Sequence, residues 1–458
     1  MSSKVSFSHI AEIVMGQSPK AEEVNNKGIG LPLLNGPTEF TDRYPIPVQH
    51  TTYAKKTSQP GDILFCVRGS TTGRMNYSDQ KYCIGRGLAA VRGRNGYPTP
   101  YVKAILETYL PELLAAATGS TFPNVSKDLI NNISVEVLPV ENACNINKLI
   151  KSQEEKVSNN NQINQTLEQM VQALFKSWFV DFEPVKAKIT VLEAGGSQEE
   201  ATLAAMTAIS GKGADSLAIF EFEQPEKYAE LKATAELFPS DMQNSELGEI
   251  PVGWESSSLS KKIKLIGGGT PKRSESSYWG GDICWYSVKD APNSSDIFVI
   301  DTVEKITVEG LNKSSTRLLP VGTTIISARG TVGKLALSAV ETAMNQSCYG
   351  ISGEKFSGPF LTYLKVKQCI DALKKNTHGA VFDTITTNTF DTVNVLTASK
   401  VINDEFEKLI TPLFNTIKSN LISNSYLSQL RDTLLPKLLS GEITLPEAEH
   451  AVSEVANV

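Results

Sequence analysis

The sequence predicts an α+β fold in which two similar globules are each followed by a long helix. Three observations predict it. Short β-branched runs are bounded by Gly, Pro and Asn; two long stretches carry apolar residues at helical spacing without an internal glycine; and the second half of the chain repeats the first. The 458 residues, 40% of them hydrophobic, suffice for packed cores, and a chain of this length predicts about two to four domains.

The repeat is visible in residues that fix turns and core positions. The two halves match at an offset of 260 over a long span, and an earlier stretch matches at an offset of 252. The matched pairs include Gly93 with Gly353, Gly119 with Gly379, Phe122 with Phe382, Val135 with Val395, Leu167 with Leu427, Leu174 with Leu434 and, at the shorter offset, Gly16 with Gly268. A period this long exceeds the roughly 20–50 residues of a solenoid unit and therefore indicates a duplicated domain.

Strand and helix predictions follow the same order in both globules. The predicted strands are 61–67, 87–93 and 133–139 in the first copy and 322–328, 348–353 and 392–397 in the second. Helical patterns interrupt them at 100–110 and 360–375. Each globule is therefore expected to be an α+β unit of about 140 residues.

A long helix is predicted after each globule, from Ile146 to Trp178 and from Phe406 to Leu438. Helices of this kind span roughly 50–60 Å, so each must pack along the other or along a partner protein. Asn164 and Asn424 occupy equivalent positions on the apolar seams. Asparagines at such positions fix helix register at a cost in stability; the alternative is a solvated, frayed middle, because the surrounding sequence is very polar.

The segment between the copies is acidic and Ala-rich with a Gly-Ser break, which predicts a semi-ordered helical connector at 186–257. Between 183 and 257, five Lys stand against fourteen Asp and Glu, an excess larger than the net charge of −6 of the whole chain. Between Cys66 and Arg94, six Lys and Arg stand against one Asp. Because a polyanion responds to local patches, the net charge does not exclude nucleic acid as a partner.

The signatures of common catalytic and metal sites are missing. The sequence contains no GxxxxGK[ST] loop for ATP, no HExxH or CxxC pair, and no Asn/Asp-Pro-Pro-aromatic motif for amine methylation. We therefore expect no catalytic residue, no metal site and no cofactor in this chain. Its scattered cysteines, the lack of a basic-then-apolar leader and the lack of a run of about 18 apolar residues predict a cytoplasmic protein without a membrane span.

An Arg-Gly pair follows a predicted strand at equivalent points of the two copies, with Arg68 in the first and Arg329 in the second. An arginine on a Gly-flanked loop can hold guanine O6 and N7 or grip a phosphate, and neighbouring hydroxyl groups can donate to phosphate. The alternative is a solvated turn with a surface ion pair. The candidate DNA-binding residues are Gln17, Ser18, Lys20, Arg68, Ser70, Thr71, Thr72, Arg74, Arg86, Ser120, Thr121, Thr270, Lys272, Arg273, Lys289, Arg329, Thr331, Lys334, Asn345, Gln346 and His378.

Asn345 and Gln346 stand opposite Gly85 and Arg86 in the repeat. Asn and Gln suit adenine whereas Arg suits guanine. Two domains that recognise different sequences would differ in this way, and ordinary divergence of a turn is the alternative. The candidate partner contacts on the long helices, with core packing as the alternative for the aromatic residues, are Phe175, Trp178, Phe179, Leu435 and Leu438.

Four segments closely resemble the specificity subunits of type I restriction–modification systems. They are "FKSWFVDFEPVKAK" (175–188), "ELFPSDMQNSELGEIPVGWE" (236–255), "GGGTPKR…YWGGDICWYSVKD" (267–290) and "LLPKLLSGEI" (434–443). The resemblance covers nearly the whole chain, including its duplication. One departure is that "SELGEIPVGW" precedes only the second copy.

The resemblance implies target-recognition domains at 1–140 and 258–400, each recognising one half of a split DNA site. Long helices at 141–185 and 401–440 would pair antiparallel, as in a coiled coil, and set the distance between the halves, with the acidic connector at 186–257 and a tail at 441–458. Two modification subunits would bring S-adenosylmethionine and methylate adenine, and restriction subunits would bring ATP and Mg²⁺ for translocation and cleavage. The alternative is a non-catalytic protein-interaction scaffold, which the acidic connector and long seams would suit equally well.

Overall fold

The computed structural model describes every residue except 1, 42, 118–122, 293–295, 354–357, 378–383, 441, 445, 449 and 451–458. The chain divides into two compact units. Unit 1 comprises Met1–Asn160 and Ser423–Val458, and unit 2 comprises Asn161–Ile422. Both units contain helices and strands, which agrees with the predicted α+β class.

Unit 1 has a globule of three small sheets and several helices. Its strands are β1 (Ser3–Ser6), β2 (Ala11–Met15), β3 (Val24–Asn25), β4 (Leu31–Leu34), β5 (Gln49–Thr51), β6 (Ile63–Cys66), β7 (Met75–Tyr77), β8 (Cys83–Ile84), β9 (Leu88–Gly93) and β10 (Ser134–Val137). Its helices are α1 (Phe7–Ile10), α2 (Thr99–Thr108), α3 (Leu110–Ala115), α4 (Lys127–Asn132) and the first half of α5 (Val140–Phe179). The sheet orders are β2-β9-β6-β7, β3-β5-β4-β8 and β1-β10.

Strand β6 lies at the centre of unit 1 and is buried along its whole length. Ile63 and Phe65 pack into one apolar cluster with helix α2, whereas Leu64 packs into a second cluster with the β4 and β8 strands. Successive side chains of a strand point to opposite faces, so the continuous apolar run of β6 reflects burial on both faces. The loops at its end therefore start from a rigid base.

The connector of unit 2 has more structure than its composition predicts. It contains α6 (Glu183–Glu193), α7 (Gln198–Ser210), α8 (Ala214–Glu223) and α9 (Pro225–Glu236), followed by the hairpin strands β11 (Met242–Ser245) and β12 (Gly248–Pro251). The connector is helical as predicted, but the predicted partial order is wrong because each of these helices contributes to the core of unit 2, through Val185, Ala205, Leu217 and Ala235 in chain order. The buried Lys188 ammonium donates to Ala235 O and Phe238 O and so satisfies carbonyl groups at the end of α9.

The globule of unit 2 repeats the strand order of unit 1. Its strands are β13 (Glu255–Ser258), β14 (Lys264–Gly267), β15 (Trp279–Tyr286), β16 (Phe298–Val299), β17 (Lys305–Ile306), β18 (Thr324–Ser327), β19 (Leu335–Ser338), β20 (Thr342–Met344), β21 (Cys348–Ser352) and β22 (Asn394–Thr397). Its helices are α10 (Leu259–Lys262), α11 (Val308–Asn312), α12 (Pro359–Lys375) and the first half of α13 (Lys400–Ser440). The sheet orders β14-β21-β18-β19-β16, β17-β15-β20 and β13-β22 match those of unit 1 apart from added or missing edge strands.

Backbone hydrogen bonds recur at the offsets read from the sequence. Phe7 N donates to Ile133 O in unit 1, and Leu259 N donates to Val393 O in unit 2. The donors are 252 residues apart and the acceptors 260, as the two matched stretches require. The duplication is therefore structural as well as a matter of sequence.

The two long helices, α5 and α13, each begin six residues before the predicted start, and they end one and two residues beyond the predicted end. They run antiparallel within each unit. In unit 1, Ile146 and Ile150 of α5 share a core with Leu438 of α13, and in unit 2 the Phe175 ring lies 6.2 Å from that of Phe406. Each helix thus contributes one half to unit 1 and the other to unit 2.

An asparagine pair joins the helices in each unit. Asn160 Nδ2 donates to Asn424 Oδ1 at 2.8 Å in unit 1, and Asn420 Nδ2 donates to Asn164 Oδ1 at 2.8 Å in unit 2. Asn164 is only 3% exposed. The solvated, frayed middle that the polar sequence allowed is therefore not observed at these positions.

Candidate nucleic-acid interface

One end of the β2-β9-β6-β7 sheet brings three loops of unit 1 together. Loop 16–20 follows β2, turn 85–87 precedes β9, and loop 67–74 follows β6. Because β9 is antiparallel to both β2 and β6, all three lie at the same end of the sheet. Gln17 N donates to Ile84 O and Val67 N to Gly87 O, so backbone hydrogen bonds tie the loops to one another. We call this surface the loop edge of unit 1.

Unit 2 has an equivalent loop edge. Loop 268–273 follows β14, turn 345–347 precedes β21, and loop 328–334 follows β18. Gly269 N donates to Met344 O and Ala328 N to Ser347 O, which are the counterparts of the two bonds in unit 1. The segments that the sequence matched therefore hold equivalent positions in the two units, with Asn345-Gln346 on the turn that corresponds to Gly85-Arg86.

The two matched arginines lie at these edges. Arg68 and Arg329 are exposed, and neither guanidinium forms an ion pair within the described residues. Arg86, on the turn of unit 1, is exposed as well. The alternative of a turn with a surface ion pair is thus not observed for Arg68 or Arg329, and both groups are available to a ligand.

Most other predicted residues lie on the same loop edges or beside them. Exposed at the edge of unit 1 are Gln17, Lys20, Ser70 and Thr71, and exposed at or beside the edge of unit 2 are Lys272, Lys289, Thr331, Lys334 and Gln346. Ser18, Thr72, Thr270 and Asn345 are half-buried. Lys20 pairs with the exposed Glu22 at 3.4 Å, an interaction that solvent and salt screen strongly.

A polar network that sequence reasoning missed lies at the edge of unit 1. The Ser18 hydroxyl accepts from Arg86 N and donates to Asn35 Oδ1, both at 3.2 Å, and Asn35 Nδ2 donates to Gln49 Oε1 at 3.2 Å. Asn35 follows β4, a strand without a strong sequence signal. The available signal was the pair of glycines around Arg86, because a Cβ on Gly85 would lie 2.5 Å from Asn35 Oδ1.

Hydrogen bonds also fix the edge of unit 2. The side chains of Thr270 and Gln346 are hydrogen-bonded to each other, and Asn345 Oδ1 accepts from Ser347 N at 3.0 Å. Trp285 Nε1 donates to Gly269 O at 3.0 Å. The same surface is therefore built from different side chains in the two units.

Three of the predicted contact residues already have partners within the protein. Arg74 donates to Phe40 O at 3.1 Å, and the Thr72 hydroxyl donates to Pro123 O at 2.9 Å, so both tie the loop edge of unit 1 to neighbouring segments. Arg273 stacks 3.9 Å from the centre of the Trp279 ring and pairs with Glu304, and its hydrogen bonds lower the pKa of the Glu304 carboxyl. These groups position the edges, and their role as ligand contacts stays a prediction, since Arg74 and Arg273 are exposed as well.

The basic stretch from Cys66 to Arg94 is not one surface. Arg92 lies on β9 and pairs with the buried Asp62 at 2.8 Å, while Arg94 lies at the opposite end of that strand from Arg86. Burial raises the pKa of Asp62 although Arg92 opposes this effect. Charge counted along the sequence therefore overstates the charge of the edge.

The aromatic candidates for partner binding belong to the core of unit 2. Trp178 is 1% exposed, and the centre of its ring lies 4.9 Å from the centre of the Phe238 ring. The centres of the Phe179 and Phe406 rings are also 4.9 Å apart. Phe175 joins the same cluster, and Leu438 is buried in the core of unit 1. Packing is the role that the structure gives these side chains, and the prediction of partner contacts is wrong for them because they present almost no surface.

Four other predicted residues cannot be placed. Ser120, Thr121 and His378 lie outside the described residues, and so does the side chain of Leu435. Across the described ranges, no group of three or more His, Cys, Asp and Glu side chains is arranged to hold a metal ion. Among those same residues, no helix combines the length and apolar character needed to cross a membrane.

Comparisons with known proteins identify the family. The model of the type I restriction modification DNA specificity domain matches residues 3–169 and 251–446, that is, both copies of the repeat. The HindI specificity subunit of Haemophilus influenzae is 34% identical over 406 residues, 85% of this chain and 88% of that protein. The MjaIX specificity subunit of Methanocaldococcus jannaschii is 27% identical over 38% of this chain and 40% of its own.

A solved type I restriction–modification S subunit from M. genitalium covers 96% of both chains at 13% identity with a TM-score of 0.48. The family match spans well over half of the residues, and the HindI relative matches nearly end to end. The chain therefore belongs to the family of type I restriction–modification specificity subunits.

Proposed function

We propose that this chain recognises a split DNA target, with the loop edge of each unit contacting one half. The observation that carries the proposal is the recurrence of the same edge in both units, each with an exposed arginine on the same loop. An arginine without an internal partner can form two parallel hydrogen bonds to guanine or to a phosphate. Hydroxyl groups such as those of Ser70 and Thr331 would add phosphate contacts that orient the duplex.

The chemical differences between the edges support two different half-sites. The turn carries Arg86 in unit 1 and Gln346 in unit 2, on equivalent backbone. A guanidinium donates two hydrogen bonds and suits the acceptors of guanine, whereas an amide both donates and accepts and suits adenine. A common scaffold with exchanged side chains would recognise unrelated sequences.

We also propose that α5 and α13 set the spacing between the half-sites and dock the modification subunits. Ile163 and Met170 support the docking role, since both are exposed apolar side chains and lie seven residues apart on α5. Residues at this spacing share a face of a helix. They replace the buried aromatic residues as candidates for partner contact.

The chemistry of modification and restriction is assigned to partner subunits. The sequence carries no nucleotide or methyl-transfer motif. The modification subunits would supply S-adenosylmethionine, and the restriction subunits ATP and Mg²⁺. This chain would contribute recognition, orientation and distance, and would be non-catalytic alone.

The proposal is tested by mapping methylated adenines in DNA from cells that make this chain with its modification subunit. Wild type should methylate one split sequence. Arg68→Ala should relax a position in one half-site and Arg329→Ala a position in the other, each by about 1–3 kcal/mol of discrimination. Arg94→Ala is the matched control, because Arg94 is exposed on unit 1 but lies at the far end of β9.

A second measurement separates DNA recognition from a protein scaffold. Specific DNA affinity should fall steeply between 50 and 200 mM salt, by roughly 10³–10⁵ for a protein with 6–10 phosphate contacts. Methylation by the purified chain alone would contradict the non-catalytic role. Lack of salt-dependent binding to the methylated sequence would favour the scaffold.

A further inference from the structure

A fourth segment reaches the loop edge of unit 1, and it follows β4. Leu34 of β4 pairs in parallel with Ile84 of β8, and Gly85 N donates to Leu34 O at 2.8 Å. Asn35, the next residue, therefore lies beside the 85–87 turn. Its exposed amide stands at the same surface as the Arg86 side chain.

The Asn35 amide is held by two neighbours but is not saturated. Its oxygen accepts one hydrogen bond, from Ser18, and its nitrogen donates one, to Gln49. A carboxamide has two lone pairs and two N–H donors. One lone pair of the oxygen and one N–H of the nitrogen therefore remain, and Arg86 N, which donates to the Ser18 hydroxyl, ties this network to the 85–87 turn.

The surrounding glycines keep this amide in place. A Cβ on Gly85 would lie 2.9 Å from the Ser18 hydroxyl, and one on Gly87 would lie 2.4 Å from Asn35 O. Both distances are shorter than side-chain carbons tolerate. The turn can approach Asn35 only with glycine at these positions, which ties the Gly-Arg-Gly sequence to the placement of Asn35.

We propose that Asn35 recognises an adenine in the half-site bound by unit 1, an inference that rests on the proposed DNA recognition. In the major groove adenine presents the N7 acceptor beside the N6 donor, which matches the donor and acceptor left on Asn35. Guanine presents two acceptors, cytosine a donor, and thymine an acceptor and a methyl group, so none of them matches both groups. Gln49 and Ser18 act as positioning residues.

Unit 2 places a different residue at the equivalent point. Tyr286 pairs with Met344 as Leu34 pairs with Ile84, and Asn345 N donates to Tyr286 O at 2.9 Å. The residue after Tyr286 is Ser287, whose hydroxyl donates to Asp290 at 2.8 Å. The adenine preference assigned to Asn35 therefore belongs to one half-site only.

The test compares the adenine-methylation profiles of cells that make wild-type chain, Asn35→Ala or Asn35→Asp with the modification subunit. Asn35→Ala should reduce the preference for adenine at one position by about 5- to 150-fold, the equivalent of one good bidentate contact. Asn35→Asp offers only acceptors and should admit cytosine there, since Asp accepts from cytosine N4. The second half-site and the spacer should stay unchanged, which also shows that the variants fold.

Asn132→Ala is the matched control. Asn132 is exposed in unit 1 at the end of α4, beside Ile133, which accepts from Phe7 N upstream of β2 and thus lies at the opposite end of the sheet. An unchanged profile for both Asn35 variants, or an equal loss at all sequences, would overturn the assignment. Wild type that methylates no defined sequence would instead refute the proposed function itself.

Discussion

At the scale of single residues, the partners of a side chain decide whether a cation can meet a ligand. Arg68 and Arg273 both lie on loops that follow a strand at the loop edges, yet Arg68 has no ion pair within the described residues whereas Arg273 is stacked on Trp279 and paired with Glu304. The sequence predicts the first correctly as an exposed group because its glycine neighbour marks a turn. It could not predict the second, since Glu304 lies 31 residues away.

Lys365 shows how burial governs a single ionisable group. The side chain is 1% exposed, its ammonium donates to Leu396 O at 3.0 Å, and it lies 4.4 Å from the centre of the Phe179 ring. Desolvation lowers its pKa to about 7. Unfolded lysine keeps its proton to a pH of about 10.4, so between these values the unfolded chain binds more protons, and the stability of unit 2 rises with pH.

Lys365→Met should therefore remove part of this pH dependence. Between pH 7.5 and 9, the wild-type free energy of unfolding should gain about 1 kcal/mol per pH unit relative to the variant. The measurement is urea unfolding at several pH values. Lys375→Met, an exposed substitution in the last turn of α12, should track wild type; parallel curves for wild type and Lys365→Met would contradict the prediction.

At the scale of elements, the sequence predicts which residues face the helical seam better than which residues meet across it. Asn164 and Asn424 were matched as seam positions, yet their hydrogen-bond partners are Asn420 and Asn160. A repeating pattern within one helix defines its apolar face, but the register against a second helix depends on the whole interface. The sequence could not predict the position of Asn35 either, because that position depends on the parallel pairing of β4 with β8, which are far apart in the sequence.

The asparagine pair of unit 2 gives a test of this register. Asn420→Leu should cost about 1–3 kcal/mol of unfolding free energy, because it removes the donor to the buried Asn164 Oδ1. Asn164 Nδ2 already lacks a hydrogen-bond partner among the described residues. The double variant with Asn164→Leu should recover this loss, since it replaces both polar groups by apolar ones.

Urea unfolding of the two single variants and the double variant measures this coupling. Gln165→Leu, an exposed neighbour on α5, serves as the control and should have little effect. Additive losses in the double variant would show that the pair does not contribute through its hydrogen bond.

At the scale of the whole molecule, the sequence predicts the duplication, whereas it predicts the structure of the connector and of the shortest strands only in part. The two offsets found in the sequence recur in the hydrogen bonds of Phe7 and Leu259. The order of the connector was not predictable, because its alanine-rich helices carry weak apolar stripes and their burial depends on Trp178 and Phe238 at other points of the chain. Short strands such as β3 and β8 were missed because their pairing, too, depends on residues at other points of the chain.

The proposed spacing role predicts the effect of lengthening both long helices. Seven residues inserted between Asn160 and Asn164, and seven between Asn420 and Asn424, would keep both asparagine pairs and add about 10 Å to each helix. DNA rises about 3.4 Å per base pair, so the spacer should grow by up to about three base pairs while both half-sites keep their sequences. Methylation mapping gives the new spacer directly.

Insertion into α5 alone is the matched control for this experiment. It adds seven residues between Asn160 and Asn164 without a matching addition between their partners Asn424 and Asn420, and we expect loss of methylation at every sequence. An active complex with matched insertions and the original spacer would show that the helices do not set the distance.

The division of the chain into units also bears on its synthesis. Unit 2 is a continuous segment, Asn161–Ile422, whereas unit 1 needs both the earliest residues and Ser423 onward. On the ribosome, unit 2 therefore has all of its contacts available before the first half of α5 meets the Leu438 side chain that shares its core. The globule that is translated first is completed last, so that a released chain truncated after Ile422 would hold every residue of unit 2 and leave the first half of α5 without its α13 partner in unit 1.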